Sequence, residues 1–199
     1  MNKVKVLVEG YAQEHEDFEK VSPSVVLIET DRFKIIVDPG FNRKELLDSL
    51  ERENLRTDQI DFVILTHTHL DHSILAGIFE NAVILDSGDQ FLQNGIIKRQ
   101  ENSMFEGIEI IPTPGHDQFH CSILIKTENM GNILIAGDVF WWLDAYEPEK
   151  DFESLLNLDD PYMKDKVALI ESRKKILEIS DYIIPGHGKM FKVEKQKIS

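Results

Sequence analysis

Cysteine is all but missing from this sequence. Cys121 stands alone, which excludes an internal disulfide and any Cys-rich zinc finger and is what a reducing compartment permits. Any bound metal must then be held by nitrogen and oxygen. Positive charge is scarce too: 22 Lys and Arg face 36 Asp and Glu, a formal net charge of -14. Electrostatic binding to a phosphate backbone needs a clustered excess of Lys and Arg, so this balance counts against nucleic acid as a partner. The residue count leaves out bound cations, which would add local positive charge. No apolar run approaches the roughly 18 residues of a membrane-spanning helix, so no membrane partner is expected. The opening MNKVKVLVEGY lacks an apolar h-region and a small-residue cleavage site, which gives the cytoplasm as the expected location. Repeats, low-complexity tracts and Gly/Ser linkers are missing as well. With 42% hydrophobic and 29% charged residues, residues 1–199 are expected to form one folded domain.

What is present is a regular alternation of short strands and helices. VKVLVEG (4–10), SVVLIET (24–30) and FKIIVD (33–38) are β-branched runs broken by turn residues. RKELLDSLEREN (43–54) sets Leu46, Leu47 and Leu50 at helical spacing and feeds the apolar strand FVILT (62–66). HTHLDH follows, then SILAGIF as a short helix and AVILD (82–86) as a strand. The second half repeats the style with GIEIIPT (107–113), CSILIKT (121–127) and NILIAGD (132–138). Residues 163–180 carry Val167, Ile170, Lys174, Ile176 and Leu177 in an amphipathic helical pattern that ends before DYIIPG. Two runs of strands, each with flanking helices, predict an α/β fold of two sheets face to face with helices outside, a four-layer αββα sandwich in outline.

Six of the seven histidines and two aspartates fall where predicted strands end: His67, His69, Asp71 and His72, then His116 and His120, then Asp138 and His187. Loops at strand ends let distant segments converge on one edge of a rigid scaffold. In His67-Thr68-His69, side chains two apart can point to the same side, and Asp71 and His72 then enter a helix. Any single histidine reads most simply as a loop residue or a satisfied core residue. Four ligand-capable residues within six positions read as a metal site. Imidazole and carboxylate without thiolate suit Zn, Fe, Mn, Co or Ni, and a catalytic site keeps a position open for water.

HTHLDH resembles the H-x-H-x-D-H signature of the metallo-β-lactamase superfamily, and TPGH (113–116), AGD (136–138) and PGHG (185–188) resemble its downstream ligand motifs in the same order. The resemblance implies the metallo-β-lactamase fold and two divalent metal ions, zinc first, with iron or manganese as alternatives. It implies His67, His69 and His116 as ligands of the first ion, Asp71, His72 and His187 as ligands of the second, and Asp138 as the bridging carboxylate. VDPG (37–40) resembles the family's early acidic turn, which makes Asp38 a candidate for orienting a ligand loop; an ordinary Asp-Pro-Gly turn is the competing reading. LVEGYA, AGDVF, SRKKIL and DYIIPGHG resemble the metallo-β-lactamase domain-containing protein 1 group.

The implied activity is that of a metal-dependent hydrolase. A metal-bridging hydroxide would attack a small-molecule ester, thioester, lactone or amide. Asp71, His69 and Asp138 are the residues expected to carry the chemistry, with Asp71 orienting the water or shuttling its proton. Members of the resembled group are linked to RNA cleavage, so a metal-dependent nuclease acting on RNA phosphodiesters is the alternative. A di-iron redox protein is another, although the all-histidine first site and the missing flavin or iron-sulfur partner domain count against it.

Other residues carry weaker signals. Cys121 beside His120 could suggest a thiol nucleophile, but strand neighbours point to opposite faces, so a buried structural thiol is expected. His120 is read either as lining the pocket or as structure, and His15, in AQEHEDFEK, as solvated. Phe140, Trp141 and Trp142 form either an aromatic wall beside the metals or core packing. Arg173 could anchor an anion, yet beside Glu171 and Glu178 it reads more simply as an ion-pair partner.

Overall fold

The computed structural model describes residues 2–99 and 104–194. Its strands are β1 Lys3–Val8, β2 Tyr11–Glu14, β3 Glu19–Ser22, β4 Val25–Glu29, β5 Lys34–Val37, β6 Phe62–Ile64, β7 Val83–Leu85, β8 Asp89–Phe91, β9 Ile97–Arg99, β10 Ile108–Pro112, β11 Cys121–Thr127, β12 Gly131–Trp141, β13 Tyr182–His187 and β14 Phe191–Lys192. The helices are α1 Arg43–Arg52, α2 Leu70–Ser73, α3 Phe152–Leu156 and α4 Lys166–Ile179. One sheet runs β1-β4-β5-β6-β7-β8-β9, a second β10-β11-β12-β13-β14, and β2-β3 is a separate hairpin.

Alternation along the strands builds the layers. In β4, Val26 and Ile28 face the second sheet and meet Ile123, Ile125, Ile133 and Ile135, while Val25 and Leu27 face outward to Leu46 and Leu50 of α1. In β12, Leu134 and Ala136 face the other way, against Leu169, Ile176 and Leu177 of α4. Every strand buried on both sides therefore reads apolar at consecutive positions, as VVLI and ILIA do. The result is helix, sheet, sheet, helix, as the sequence pattern predicts. Asn42 caps α1 and Asp165 caps α4 through their side chains, each worth about 1 kcal/mol. Helix α4 starts at Lys166 rather than at 163 because Asp165 takes the cap position.

The strands also put the polar residues in place. β5, β6 and β7 are parallel, as are β12 and β13, and their C-terminal ends converge on one edge between the sheets. Strand β12 continues to Trp141, three residues past the predicted end at 138, because VFW is buried throughout. Asp138 is therefore inside a strand, beside a register irregularity around Gly137, and His187 is the last residue of β13 rather than a loop residue beyond it. Gly137 has φ +53°, and a Cβ there would meet Thr66 Oγ1 at 2.6 Å and His120 Nε2 at 2.7 Å. Only glycine allows that backbone to press against Thr66, just before the HTHLDH segment, and against His120.

Candidate metal centre

All seven residues expected as ligands meet at this edge. His67, His69, His116 and Asp138 form one group and Asp71, His72 and His187 another, with one nitrogen or oxygen from each member within 4.8 Å of every other in its group. Asp138 stands between them. Its Oδ2 lies 3.4 Å from His116 Nε2 and 3.6 Å from His67 Nε2, and its Oδ1 lies 3.2 Å from His72 Nε2 and 3.7 Å from His187 Nε2. Asp71 Oδ2 lies 3.4 Å from His187 Nε2 and 3.6 Å from His72 Nε2, and His69 Nδ1 lies 3.3 Å from His116 Nε2. Ligands about 2.1 Å from a tetrahedral ion stand about 3.4 Å from one another, so the spacing fits cations better than direct hydrogen bonding.

The hydrogen-bond accounting agrees. His67 Nε2, His72 Nε2 and Asp138 Oδ1 are buried with no hydrogen-bond partner, and each such group costs about 1–3 kcal/mol. Three orphaned atoms aimed at one another are relieved by a positive ion. Burial would raise Asp138, yet His72, His187 and His67 hold its carboxyl well below the usual range. Burial works against a charge on His72, but Asp138 and Asp38 hold its imidazole well above the usual range. Of the histidines, His72 and His187 are thus drawn toward the charged form by the carboxylates, while burial holds His67 and His69 toward the neutral one.

Four of the five imidazoles are aimed by a partner on the other nitrogen, the arrangement that fixes tautomer and ring direction at metal sites. His72 Nδ1–H donates to Asp38 Oδ2 at 2.9 Å. His116 Nδ1–H donates to Asp160 Oδ2 at 2.8 Å. His187 Nδ1–H donates to the carbonyl oxygens of Ser22 and Tyr11 at 2.9 and 3.1 Å. Thr66 Oγ1 donates to Asp38 and accepts from His67 Nδ1 at 3.0 Å. Asp38 is more than a turn residue: it takes the Thr66 N–H at 2.8 Å as well, and it sits at φ +48°, a conformation Asp tolerates at some strain.

A cavity of about 570 Å³ opens over the two groups. Asp71 and His69 reach it part-exposed, and Asp138 and His187 form its floor. Trp141 and Tyr162 form one wall, with ring centroids 5.5 Å apart. Phe41, Leu70 and Ile74, all exposed, form a second. The β2–β3 hairpin forms the third through Gln13, Glu14, Glu19 and Val21.

The remaining candidates sort cleanly. Of the three aromatics after Asp138, Trp141 is wall, while Phe140 and Trp142 belong to the core under α3 and α4. His120 is fully buried and structural: Nδ1 bonds Thr113 at 2.9 Å, Nε2 accepts the Asp138 N–H at 3.1 Å, and burial lowers its pKa to about 3. Cys121 is buried with its thiol donating to Leu65 O at 3.4 Å and its pKa raised by burial, so no thiol–imidazole pair forms. His15 is exposed at the hairpin tip, stacked on Phe18. Arg173 departs from the ion-pair expectation. It is 2% exposed and donates to the carbonyls of Val139, Leu156 and Leu158, fastening α4 to β12 and to the segment after α3.

Sequence reasoning missed Asp160 and the hairpin. Asp160 lies in NLDDPYM, where nothing distinguishes it from Asp159, and only the fold brings it to His116, 44 residues away. The hairpin lies in YAQEHEDFEKVS, too acidic to read as strand.

A family described as the metallo-beta-lactamase superfamily matches residues 19–85. The chain is 32% identical to "Metallo-beta-lactamase domain-containing protein 1" of Xenopus laevis over 98% of its own length and 83% of that protein's. A metallo-beta-lactamase-type protein from Thermotoga maritima has the same fold, with a TM-score of 0.70 at 24% identity over 96% of this chain and 99% of the other. So does AidC, a dizinc quorum-quenching lactonase in complex with a product, with a TM-score of 0.68 at 15% identity over 91% of this chain and 78% of the other. Among the described residues no helix is long and apolar enough to cross a membrane.

Proposed function

The chain belongs to the metallo-β-lactamase superfamily and is a metal-dependent hydrolase, and we propose that it is a dinuclear one, cleaving a small-molecule ester, thioester, lactone or amide in the cytoplasm. His67, His69 and His116 would hold one ion, Asp71, His72 and His187 the other, and Asp138 both. The observation that carries the reading is Asp138, whose two oxygens each face a different histidine group. Two divalent ions bound there, zinc first, supply a water acidic enough to ionise near neutral pH and polarise the oxygen of the scissile carbonyl.

The chain's own residues do the rest. Asp138 is buried between the two histidine groups and would hold both ions from there. Asp71 is the carboxylate open to the cavity; burial would raise its pKa, but His187 and His72 hold it below the usual range, so it is ionised at neutral pH and can accept a hydrogen bond from the attacking water and pass its proton to the leaving oxygen, sulfur or nitrogen. His69, also open to the cavity, would hold its ion at the cavity's edge, where the acyl group is reached. Trp141, Tyr162, Phe41, Leu70 and Ile74 bury the apolar part of the substrate and exclude water around it. The RNA alternative finds no support in the lining, since no Lys or Arg contributes to the cavity among the described residues. The buried, unpaired Cys121 fits a reducing compartment.

The test is the metal-loaded protein against a panel of esters, thioesters, lactones, amides and RNA. Turnover of an uncharged acyl compound that is lost on chelation and restored by metal supports the reading. Cleavage of RNA alone, surviving moderate salt, overturns it in favour of the nuclease.

A further inference from the structure

The hairpin that closes the cavity carries an arrangement that stability does not account for. Glu14 and Glu19 are directly opposite one another in the β2–β3 ladder, and like charges so placed are destabilising. Both are exposed and both line the cavity, and neither makes an ion pair with Lys or Arg among the described residues. Glu16 and Asp17 at the tip add to the same field. The hairpin is not a loose flap. Gln13 Nε2 donates to Asp144 Oδ2 at 2.7 Å and the Ala12 N–H to Asp144 Oδ1 at 3.0 Å. Its base pair Tyr11 and Ser22 supplies both carbonyls that receive His187 Nδ1–H. The base of the strands that carry the two carboxylates is therefore tied down beside the cavity, above a floor where Asp138 Oδ1 is buried without a partner.

We propose that Glu14 and Glu19 are specificity-determining residues that select substrate by charge, admitting an acyl compound that is uncharged or cationic beyond the scissile bond and rejecting an anionic one. This rests on the hydrolase reading above and names its substrate class. The division of labour follows from position. The floor, with cations bound, would take the carbonyl oxygen at short range, while the lip meets the far end of the substrate, and no basic residue of the lining offsets it. A phosphate or carboxylate at that end meets two unit negative charges, and an ammonium group meets the same charges as attraction, with Trp141 and Tyr162 offering aromatic faces nearby.

The experiment uses three aryl esters of one acyl acid, carrying a trimethylammonium, a neutral or a sulfonate group, with the wild type and with Glu14→Gln/Glu19→Gln and Glu14→Lys/Glu19→Lys. Dissociation constants of the three corresponding non-hydrolysable ethers are measured alongside by calorimetry. For the wild type the ratio of kcat/KM, cationic over anionic, is expected to exceed about tenfold at low salt and to shrink toward unity near 1 M salt. The Gln pair brings the low-salt ratio close to unity and the Lys pair inverts it, and the ethers follow the same order in affinity. A ratio unchanged in the Gln pair, or a wild-type preference for the sulfonate, overturns the proposal. If no ester is hydrolysed, the hydrolase reading fails, and the order of ether binding still decides whether the lip selects by charge.

Discussion

Asp38 Oδ2 accepts the Nδ1–H of His72 at 2.9 Å, joining the turn after β5 to the segment after β6. The same carboxylate takes the N–H and O–H of Thr66, so its bonds hold both the start of the HTHLDH segment, through the threonine just before it, and its end, through His72. Asp38→Asn keeps the shape but loses the charge-assisted bond. Metal affinity of the Asp71, His72 and His187 group is expected to fall about 10- to 100-fold, with the other group less affected. Competition against a chromogenic chelator measures both; wild-type affinity in the variant would show that Asp38 only shapes the turn.

Asp160 should act on the other group in the same way. It accepts His116 Nδ1–H at 2.8 Å and is 1% exposed. Asp160→Asn is expected to weaken metal binding at the His67, His69, His116 and Asp138 group by a similar factor. Stepwise metal titration read by native mass spectrometry separates the two groups, and loss confined to the Asp71 side would contradict the assignment.

The three aromatics after Asp138 should separate by assay. Phe140 is fully buried in the core, and Phe140→Ala is expected to cost about 3–5 kcal/mol of stability. Trp141→Ala opens the cavity wall and is expected to raise KM for apolar substrates several-fold while lowering kcat less. Thermal unfolding and steady-state kinetics on both variants check this. Equal effects on KM from both would remove Trp141 from the wall.

Arg173→Met removes the donor for three backbone carbonyls. With buried acceptors left unsatisfied, stability is expected to fall by about 3 kcal/mol. Metal content of the folded fraction stays that of the wild type, because no candidate ligand touches this residue. Urea unfolding with elemental analysis tests it, and a metal-depleted but stable variant would contradict the structural role.

These residues also mark what the sequence could and could not disclose. The clustering of the candidate ligands was legible because its chemistry is local: HTHLDH concentrates four donors, and TPGH, AGD and PGHG each sit at the end of an apolar run. The layers were legible because strands buried on both faces cannot alternate. Arg173 was misjudged because its helical neighbours Glu171 and Glu178 suggested pairing, whereas the fold buries it against carbonyls. Asp160 and the acidic hairpin were invisible because their conformation and partners come from tertiary contact. Asp144, Tyr11, Ser22 and His187 meet only after the sheets have packed.

The central claim is that one carboxylate, Asp138, is shared by two cations. Native mass spectrometry of the protein at saturating zinc measures it most directly. Two ions per chain are expected in the wild type, with Asp138→Ala retaining at most one under the same conditions. A wild-type limit of one ion, or two ions held undiminished by Asp138→Ala, would contradict it.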